Sequence, residues 1–254
     1  MLLLLPPSET KRIGGTNLTI EQVHLSYGQL NDAREEVLNA LIKLCKNKAE
    51  AQRVLKLSAK QLGDRDLNLA IRTAPTMSAF ERYEGTLYKA IGADTFTKHE
   101  VEMMRGHVLI QSALFGLISA TDRIPWYRLS ANTALPKANL KKIWREHQGA
   151  AFARLVDIPI IDLRSKACVD LAPIPEEMDS YWVEVVAEDS SGARRALNHF
   201  NKTAKGELVG AFVRAKTPPK TLSQLKAVAK KVGLGLEVEG KTIFLITSEV
   251  IRAK

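Results

Sequence analysis

The chain opens on an uninterrupted apolar run, Leu2–Leu5, which Pro6 and Pro7 end. A strand with one face in water alternates apolar and polar residues, whereas a strand covered on both faces is apolar throughout. We therefore predict a short central strand that helices cover on both sides. The run is too short to span a membrane and no basic leader precedes it, so we expect neither a signal peptide nor a membrane partner.

Further strand-like runs cover residues 108–115, 159–163 and 181–188, and helical spacing separates them. We predict helices that begin at the caps Asn31 and Thr97, and another over residues 140–156. Strands that alternate with helices are typical of an α/β fold. No repeat or low-complexity linker interrupts the pattern. The prediction is one compact domain over residues 1–254, with a mixed α+β sheet that helices surround.

Three loops with reactive or anion-binding side chains follow predicted strands, over residues 6–15, 116–129 and 164–168. Ligand sites of open α/β sheets lie at the carboxyl ends of strands. Arginine beside an aromatic side chain suits a phosphate and a stacked base, although Trp126 and Tyr127 equally suit a loop anchored in the core. The candidate ligand or anion-binding residues are Lys11, Ser112, Asp122, Tyr127, Arg128 and Ser165.

Residues 48–72 have the layout of two helices joined by a tight turn. Ser58 is a candidate cap, Gly63 a candidate stop, and Asp64 opens the next helical stretch. A helix-hairpin-helix with this layout holds the DNA backbone through its turn amides and a helix N-terminus. Two helices that simply pack in the core give the same pattern.

The formal net charge of +9 is unevenly distributed. Residues 194–254 contain 13 Lys and Arg against four acidic residues, whereas the first 193 residues hold 24 of each sign. Excess positive charge favours polyanionic partners and does not determine the fold. Because the surplus is concentrated in this basic C-terminal region, it predicts a positively charged binding surface. An evenly spread surplus would instead have indicated a contribution to solubility.

Apolar residues recur at helical spacing over residues 193–216, and we predict a helix whose opposite side carries Arg195, His199, Lys202 and Lys205. Lys226 and Lys230 extend the charge along the next helix. Such a stripe suits a phosphate backbone, but a merely solvated face looks the same. A lysine beside other cations also suits a base or nucleophile, so Lys202 and Lys205, with Ser8, are the candidate catalytic residues.

Common enzyme motifs are absent from the sequence: it has no GxGxxG, GxxxxGK[ST], GxSxG or HExxH, and its histidines share no ligand spacing. These absences disfavour the common dinucleotide, P-loop, α/β-hydrolase and zincin classes, and we predict no cofactor and assign no metal ligand. Carboxylates distant in sequence can still converge on a metal. Cys45 and Cys168 lie far apart and in no CxxC motif. Two reduced thiols indicate a cytoplasmic protein.

Several segments, in order along the chain, resemble the peroxide stress protein YaaA family. The matching stretches are the opening through Lys11, Tyr83-Glu-Gly-Thr-Leu-Tyr88, Ser112-Ala-Leu-Phe-Gly116, Asp122, Tyr127-Arg-Leu129, the strand end at Ser165, and Lys202-Thr-Ala-Lys-Gly206. The chain departs from the family pattern at Ala120-Thr121, Ala167-Cys168 and Gly210. Because of these departures, the geometry of the family's site is not carried over strictly to this chain. The inferred fold is unaffected.

The resemblance implies an α/β domain with a positively charged cleft, a helix-hairpin-helix-like element, double-stranded DNA binding and protection against oxidative damage. The leading hypothesis is thus a cytoplasmic, monomeric stress protein that binds DNA mainly through phosphates. The alternative is an enzyme that acts on a nucleotide, a nucleobase or a small anionic metabolite where the three loops meet the basic helix. A third hypothesis is an interaction protein with a vestigial cleft.

Overall fold

The computed structural model describes residues 1–188, 194–196 and 201–248. Its strands are β1 Leu2–Leu5, β2 Met77–Ser78, β3 Val108–Ser112, β4 Gly116–Ser119, β5 Arg123–Ile124, β6 Ile160–Asp162, β7 Ser180–Glu188, β8 Arg194–Ala196, β9 Gly235–Glu239 and β10 Thr242–Ser248. Its α-helices are α1 Asn31–Cys45, α2 Lys48–Val54, α3 Asp64–Leu69, α4 Ala79–Arg82, α5 Thr86–Ile91, α6 Lys98–His107, α7 Leu140–Phe152, α8 Lys166–Leu171, α9 Asn201–Val213 and α10 Leu222–Lys230.

The main sheet is mixed and has the order β4-β3-β1-β6-β7-β10-β9, with β8 paired to β7. Strand β1 pairs in parallel with β3 on one side and β6 on the other. All four of its leucines are buried. The prediction of a central strand from its continuous apolar run is therefore confirmed, as is the mixed sheet surrounded by helices.

Helices cover the sheet and share one hydrophobic cluster with it. Helix α6 contacts β1, β3 and β4, while α9 contacts β7 and β10 and packs along α5. A β-carbon on Gly206 of α9 would lie 2.2 Å from the carbonyl oxygen of Leu87 in α5. Only glycine allows the two helices to come this close. Among the described residues, no helix combines the length and apolar character needed to cross a membrane.

Several predicted boundaries were wrong. The predicted 108–115 strand ends at Ser112, and the predicted loop 116–129 contains β4 and β5. The main chain of Asn31 is already helical, and Leu30 is the N-cap of α1. Thr97 caps α6 as predicted, since its side chain accepts a hydrogen bond from the amide of Glu100.

The predicted helix over residues 193–216 was also wrong in its first part. Residues Arg194–Ala196 form β8, which pairs antiparallel with Val186–Glu188, so Arg195 lies on a strand. The helix itself is α9, and His199 falls outside the described residues. The spacing of apolar residues gave the wrong boundary because the segment around Arg195 pairs with β7 as a strand and does not continue the helix.

The 48–72 segment folds as α2, a short 3₁₀ turn over Ala59–Gln61, and α3. Ser58 and Gln61 form a capping box in front of this turn, as the sequence suggested. The helix pair is thus present, whereas a DNA-binding helix-hairpin-helix stays a prediction.

Candidate functional site

Parallel pairing brings three strand ends to one edge of the sheet. Strands β1, β3 and β6 run in the same direction and end at Leu5, Ser112 and Asp162. The loops that follow supply two neighbouring groups of polar side chains. We call the first the Lys11 cluster, formed by Lys11, Tyr83, Ser112, Tyr127 and Arg128.

Lys11 is a buried lysine with aromatic walls. Its side chain is 7% exposed, and its Nζ donates a 2.7 Å hydrogen bond to the carbonyl oxygen of Ser8. The Nζ atom lies 4.3 Å from the ring centre of Tyr127 and 5.4 Å from that of Tyr83. Burial lowers the pKa of Lys11 to about 7, against the opposing field of Glu9. The ε-amine therefore exists in both protonation states near neutral pH.

The hydroxyl groups of the Lys11 cluster form a chain. Ser112 Oγ lies 2.9 Å from the Tyr127 hydroxyl, which lies 2.7 Å from the Tyr83 hydroxyl. Ser112 Oγ also accepts hydrogen bonds from the amides of Leu114 and Phe115. Since a hydroxyl has two acceptor lone pairs, these amides leave Ser112 to donate to Tyr127 and Tyr127 to donate to Tyr83. The Tyr83 proton is then the last donor of the chain.

Arg128 joins this cluster to α3. Its guanidinium lies 3.6 Å from Glu9 and 4.0 Å from Asp64. The fully buried side chain of Asn68 binds the Arg128 main chain twice, because its Oδ1 accepts from the amide and its Nδ2 donates to the carbonyl. The 48–72 segment is therefore in direct contact with the candidate site.

A cleft of about 450 Å³ lies next to the Lys11 cluster, where β7 continues past the end of β6. We call it the Lys205 cleft. Its polar lining includes Ser165, Lys166, Glu184, Lys202 and Lys205, and Trp182 contributes an aromatic wall.

The structure corrects the prediction that Lys205 lies on a solvent-facing stripe. Lys205 is 5% exposed, and its Nζ donates a 3.2 Å hydrogen bond to the Leu163 carbonyl and lies 5.1 Å from the Trp182 ring centre. Helix α9 is buried on most of its surface because α5 and the sheet both pack on it. Burial lowers the pKa of Lys205 to about 8, with Asp162 opposing the shift. Lys202, one turn earlier, is exposed at the cleft rim.

An ion pair fixes the floor of this cleft. Arg164 is fully buried, and its guanidinium donates to both carboxylate oxygens of Asp162 at 2.9 and 2.7 Å. A third donor of Arg164 binds the Ala172 carbonyl. A buried pair with this bidentate geometry holds the β6 end rigidly beneath Lys205.

Three other predicted site residues have different surroundings. Ser8 contributes its carbonyl oxygen to Lys11, and its hydroxyl packs against Gly85, where a β-carbon would lie only 2.3 Å away. Ser165 lines the Lys205 cleft, and its hydroxyl donates to the Cys168 sulfur at 3.4 Å. Asp122 accepts hydrogen bonds from the amides of Ser26 and Ser119 and from the Ser26 hydroxyl. These bonds connect two loops, which is a structural role.

The predicted DNA-binding residues do not all come together. Arg195 is exposed on β8, and Lys226 and Lys230 are exposed on α10. Lys226 lines a separate shallow cleft that it shares with Glu237 and Glu239. Of the members of this set that the structure describes, only Lys202 and Lys205 line the Lys205 cleft.

Sequence reasoning missed Tyr83, Asn68, Trp182 and Glu184. Tyr83 stood in a recognised family segment, which was the one available signal for it. Trp182 faces the cleft only because Asp162 is its partner in the β6–β7 register, and a sequence does not display that register. Among the described residues, no group of three His, Cys, Asp or Glu side chains is placed to hold a metal ion.

Comparison with known proteins identifies the family. A family model described as peroxide stress protein YaaA matches residues 1–237. The chain belongs to the peroxide stress protein YaaA family. A UPF0246 protein of Corynebacterium efficiens is 38% identical over 95% of this chain and 97% of its own length. One from Streptomyces coelicolor is 32% identical over 94% and 93% of the two chains.

An uncharacterised protein of Campylobacter jejuni is 26% identical over 89% of both chains. These relatives cover nearly the whole length, so the elements that build the Lys11 cluster and the Lys205 cleft lie within the YaaA family match. The family description associates the protein with peroxide stress.

Proposed function

We propose that this protein binds double-stranded DNA through its phosphates as part of a peroxide-stress response. The observation that carries the proposal is the gathering of Lys166, Lys202 and Lys205 around one cleft at the carboxyl edge of the sheet. The exposed cations Lys166 on α8 and Lys202 on α9 suit phosphate oxygens of a duplex, and each contact releases counterions. The family's association with peroxide stress supplies the setting.

The cleft is too small to enclose a duplex, so the duplex contacts its rim. Lys166 and Lys202 are exposed there, whereas Lys205 lies inside. Phosphate contacts of this kind position a duplex without reading its sequence. We therefore expect little sequence preference.

A salt titration tests this proposal. Anisotropy of a labelled duplex measures affinity over a series of salt concentrations, and log affinity should fall with log salt by about 0.9 per phosphate contacted. The double variant Lys166→Glu with Lys202→Glu should flatten this slope by about two phosphate contacts. The matched control is Lys98→Glu with Lys141→Glu, two exposed lysines outside the cleft lining. A wild-type affinity that does not change with salt contradicts the proposal.

A second candidate function is the binding of a nucleotide or small anionic metabolite inside the Lys205 cleft. The specific observation in its favour is that Lys205 is buried against Trp182 with a lowered pKa, which phosphate contact at a rim does not require. Titration with inorganic phosphate and with adenosine monophosphate should change Trp182 fluorescence. Trp182→Phe identifies the signal, and Lys205→Met should remove it. Unchanged fluorescence at saturating ligand would exclude this candidate.

We further propose that the protein acts as a monomer in the cytoplasm. Cys45 and Cys168 are both buried and unpaired, which suits a reducing compartment. Sedimentation measurements on the free protein and on its duplex complex test the monomer. A dimer in either sample contradicts it.

A further inference from the structure

The structure contains a second buried lysine, and duplex binding has no use for it. Lys11 lies at the end of β1, shielded by two tyrosine rings, and among the described residues the Ser8 carbonyl is its one hydrogen-bond acceptor. An ammonium group has three donors, so a buried lysine that exists to be charged normally has more acceptors around it. Burial and the single acceptor disfavour the charged form of Lys11, whereas the two tyrosine rings against its Nζ favour it, and burial is the larger effect.

We propose that Lys11 is a reactive lysine whose ε-amine forms an imine with the aldehyde group of a phosphate-bearing ligand. The proposal rests on the second candidate function for its class of ligand, a small phosphate-bearing molecule, but places that ligand at the Lys11 cluster and not in the Lys205 cleft. It does not depend on duplex binding.

The neighbours of Lys11 supply what this step needs. The amine nitrogen attacks the carbonyl carbon, and the carbonyl oxygen takes up a proton to give a carbinolamine. Tyr83, as the last donor of the hydroxyl chain, is the group placed to donate to that oxygen. Tyr83 takes one amine hydrogen in exchange, passes it to the carbinolamine hydroxyl, which leaves as water, and recovers the second amine hydrogen as the carbon–nitrogen double bond forms. Overall the water carries away the carbonyl oxygen and two hydrogens, the amine loses both of its hydrogens, and Tyr83 ends protonated. No oxidant or reductant takes part.

The phosphate of the ligand has a partner in Arg128. Its guanidinium contacts Glu9 at 3.6 Å and Asp64 at 4.0 Å, and the Glu9 side chain is 53% exposed. An incoming phosphate therefore replaces one exposed carboxylate, and bidentate pairing with arginine is the usual recognition of that group.

Charged groups surround Lys11 from every packed element. Glu9 and Asp64 favour its protonated form, whereas Arg128 and Arg82 disfavour it, and the Tyr83 and Tyr127 hydroxyls have raised pKa values and stay neutral. Burial outweighs these charges and brings the pKa of Lys11 to about 7. At neutral pH about half of Lys11 is then nucleophilic, compared with roughly one in 2,500 for an ordinary lysine.

Reductive trapping on the full-length chain tests the proposal. Pyridoxal 5′-phosphate, which carries both an aldehyde and a phosphate, is added with borohydride over a range of pH, and peptide mapping locates the secondary amine formed. Lys11 should be modified at least about tenfold faster than the exposed Lys98 at neutral pH, with a half-maximal rate near pH 7. Because every lysine competes within one wild-type sample, this comparison needs no variant.

Variants separate the roles of the neighbours. Lys11→Arg should remove the fast modification and Lys98→Arg should not. Tyr83→Phe should slow trapping at Lys11 without moving its half-maximal pH, since it removes a proton donor and leaves the amine in place. Modification of Lys11 no faster than of Lys98 overturns the proposal.

Two further substrates identify the source of the aldehyde. A duplex with one abasic nucleotide presents a sugar aldehyde between phosphates, and glyceraldehyde 3-phosphate presents a free one. Borohydride cross-linking of Lys11 to the first alone indicates DNA, and modification by the second alone indicates a metabolite. Because duplex affinity and Trp182 fluorescence are measured separately, failure of the imine leaves both proposed functions testable on their own.

Discussion

At the scale of single residues, Asn68 acts on the candidate site without entering it. Its amide binds the amide and the carbonyl of Arg128, and the side chain is fully buried. Asn68→Ala leaves two part-buried main-chain groups of Arg128 without their partner. A single fully buried unpaired group costs about 1–3 kcal/mol, and part-buried groups cost less because water still reaches them. We expect the free energy of unfolding in urea to fall by about 1–3 kcal/mol, and Arg128 to lose its fixed position.

The matched control for Asn68 is Asn132→Ala. Asn132 is exposed in the loop before α7 and should change stability by less than about 0.5 kcal/mol. Equal stability of the two variants would show that the Arg128 main chain does not depend on Asn68.

Lys11 makes a pH-dependent contribution to stability. Its pKa is about 7 in the folded protein and 10.5 for the ordinary side chain, so between these values the unfolded chain binds more protons. The free energy of unfolding contributed by Lys11 therefore rises with pH, by at most about 1.4 kcal/mol per pH unit. The burial penalty is complete below about pH 7 and is lost as the pH approaches 10.

Comparison of wild type with Lys11→Met isolates this effect. The variant lacks the burial penalty of Lys11, so its stability advantage over wild type should shrink steadily from pH 7 to pH 9 as that penalty is lost. Lys205, Cys45 and Cys168 also titrate, but they do so alike in both proteins and cancel in the difference. Urea unfolding at each pH measures it, and Lys98→Met serves as the exposed control. A constant difference across this range is the result that contradicts a depressed pKa for Lys11.

Four of the candidate ligand-binding residues lie close together in the structure, and their role stays a prediction. Lys11, Ser112, Tyr127 and Arg128 were chosen as loop or strand-end polar residues, and the structure brings them into one cluster. Lys205 was assigned to the wrong environment, because a lysine on an amphipathic pattern normally faces water. Trp182, together with α5 and the sheet strands that pack on α9, buries it through contacts from distant parts of the chain, which helical spacing does not reveal.

At the scale of elements, the α5–α9 contact depends on two small residues. β-Carbons on Gly206 and Gly210 would lie 2.2 Å and 2.7 Å from the carbonyl oxygens of Leu87 and Ile91. Gly206→Ala must push α9 away from α5, and overpacking of this kind costs about 1–3 kcal/mol. We expect lower stability in thermal unfolding and a displaced Lys205, with loss of the Trp182 response to ligand.

Gly149→Ala is the control for this substitution. Gly149 lies within α7, and a β-carbon added there would have nothing within 4 Å, so alanine should stabilise the helix by up to about 1 kcal/mol. Opposite signs for the two changes support the packing argument. If Gly206→Ala also stabilises, the close approach of the helices is not a constraint.

Element prediction succeeded where a pattern is local. The Thr97 and Ser58 capping boxes and the strand nature of β1 and β7 follow from residues next to each other in the chain. The segment around Arg195 failed because its conformation is decided by pairing with β7. The spacing of apolar residues within one segment does not indicate which other strand will pair with that segment.

At the scale of the whole molecule, the sequence predicted candidate residues on strand-end loops but not how those loops meet. The Leu2–Leu5 run predicted a central strand, and parallel neighbours then place the ends of β1, β3 and β6 at one edge. The strand order depends on pairing between distant segments. The separation into a Lys11 cluster and a Lys205 cleft therefore could not be predicted from the sequence. The basic residues of the C-terminal region also lie on different elements, with Arg195 on β8, Lys202 on α9 and Lys226 on α10.

Two lysines near the ends of α10 allow net charge to be separated from charge position. Lys220 lies near the amino group of Met1, at the amino edge of β1 and far from the strand ends that build the cleft. Lys230 ends α10 shortly before Gly235, which pairs with Ile246 at the carboxyl end of β10. Both side chains are exposed.

Lys230→Glu and Lys220→Glu change the net charge equally and should have different effects on duplex binding. If phosphates are bound at the carboxyl edge of the sheet, Lys230→Glu should weaken affinity severalfold at low salt, and Lys220→Glu should have a smaller effect because a Debye length of about 10 Å at 0.1 M salt screens it from that edge. Anisotropy of the same labelled duplex at two salt concentrations measures both. Equal losses in the two variants would mean that net charge alone attracts DNA, with no defined face, and the binding surface proposed around Lys166 and Lys202 would then have to be abandoned.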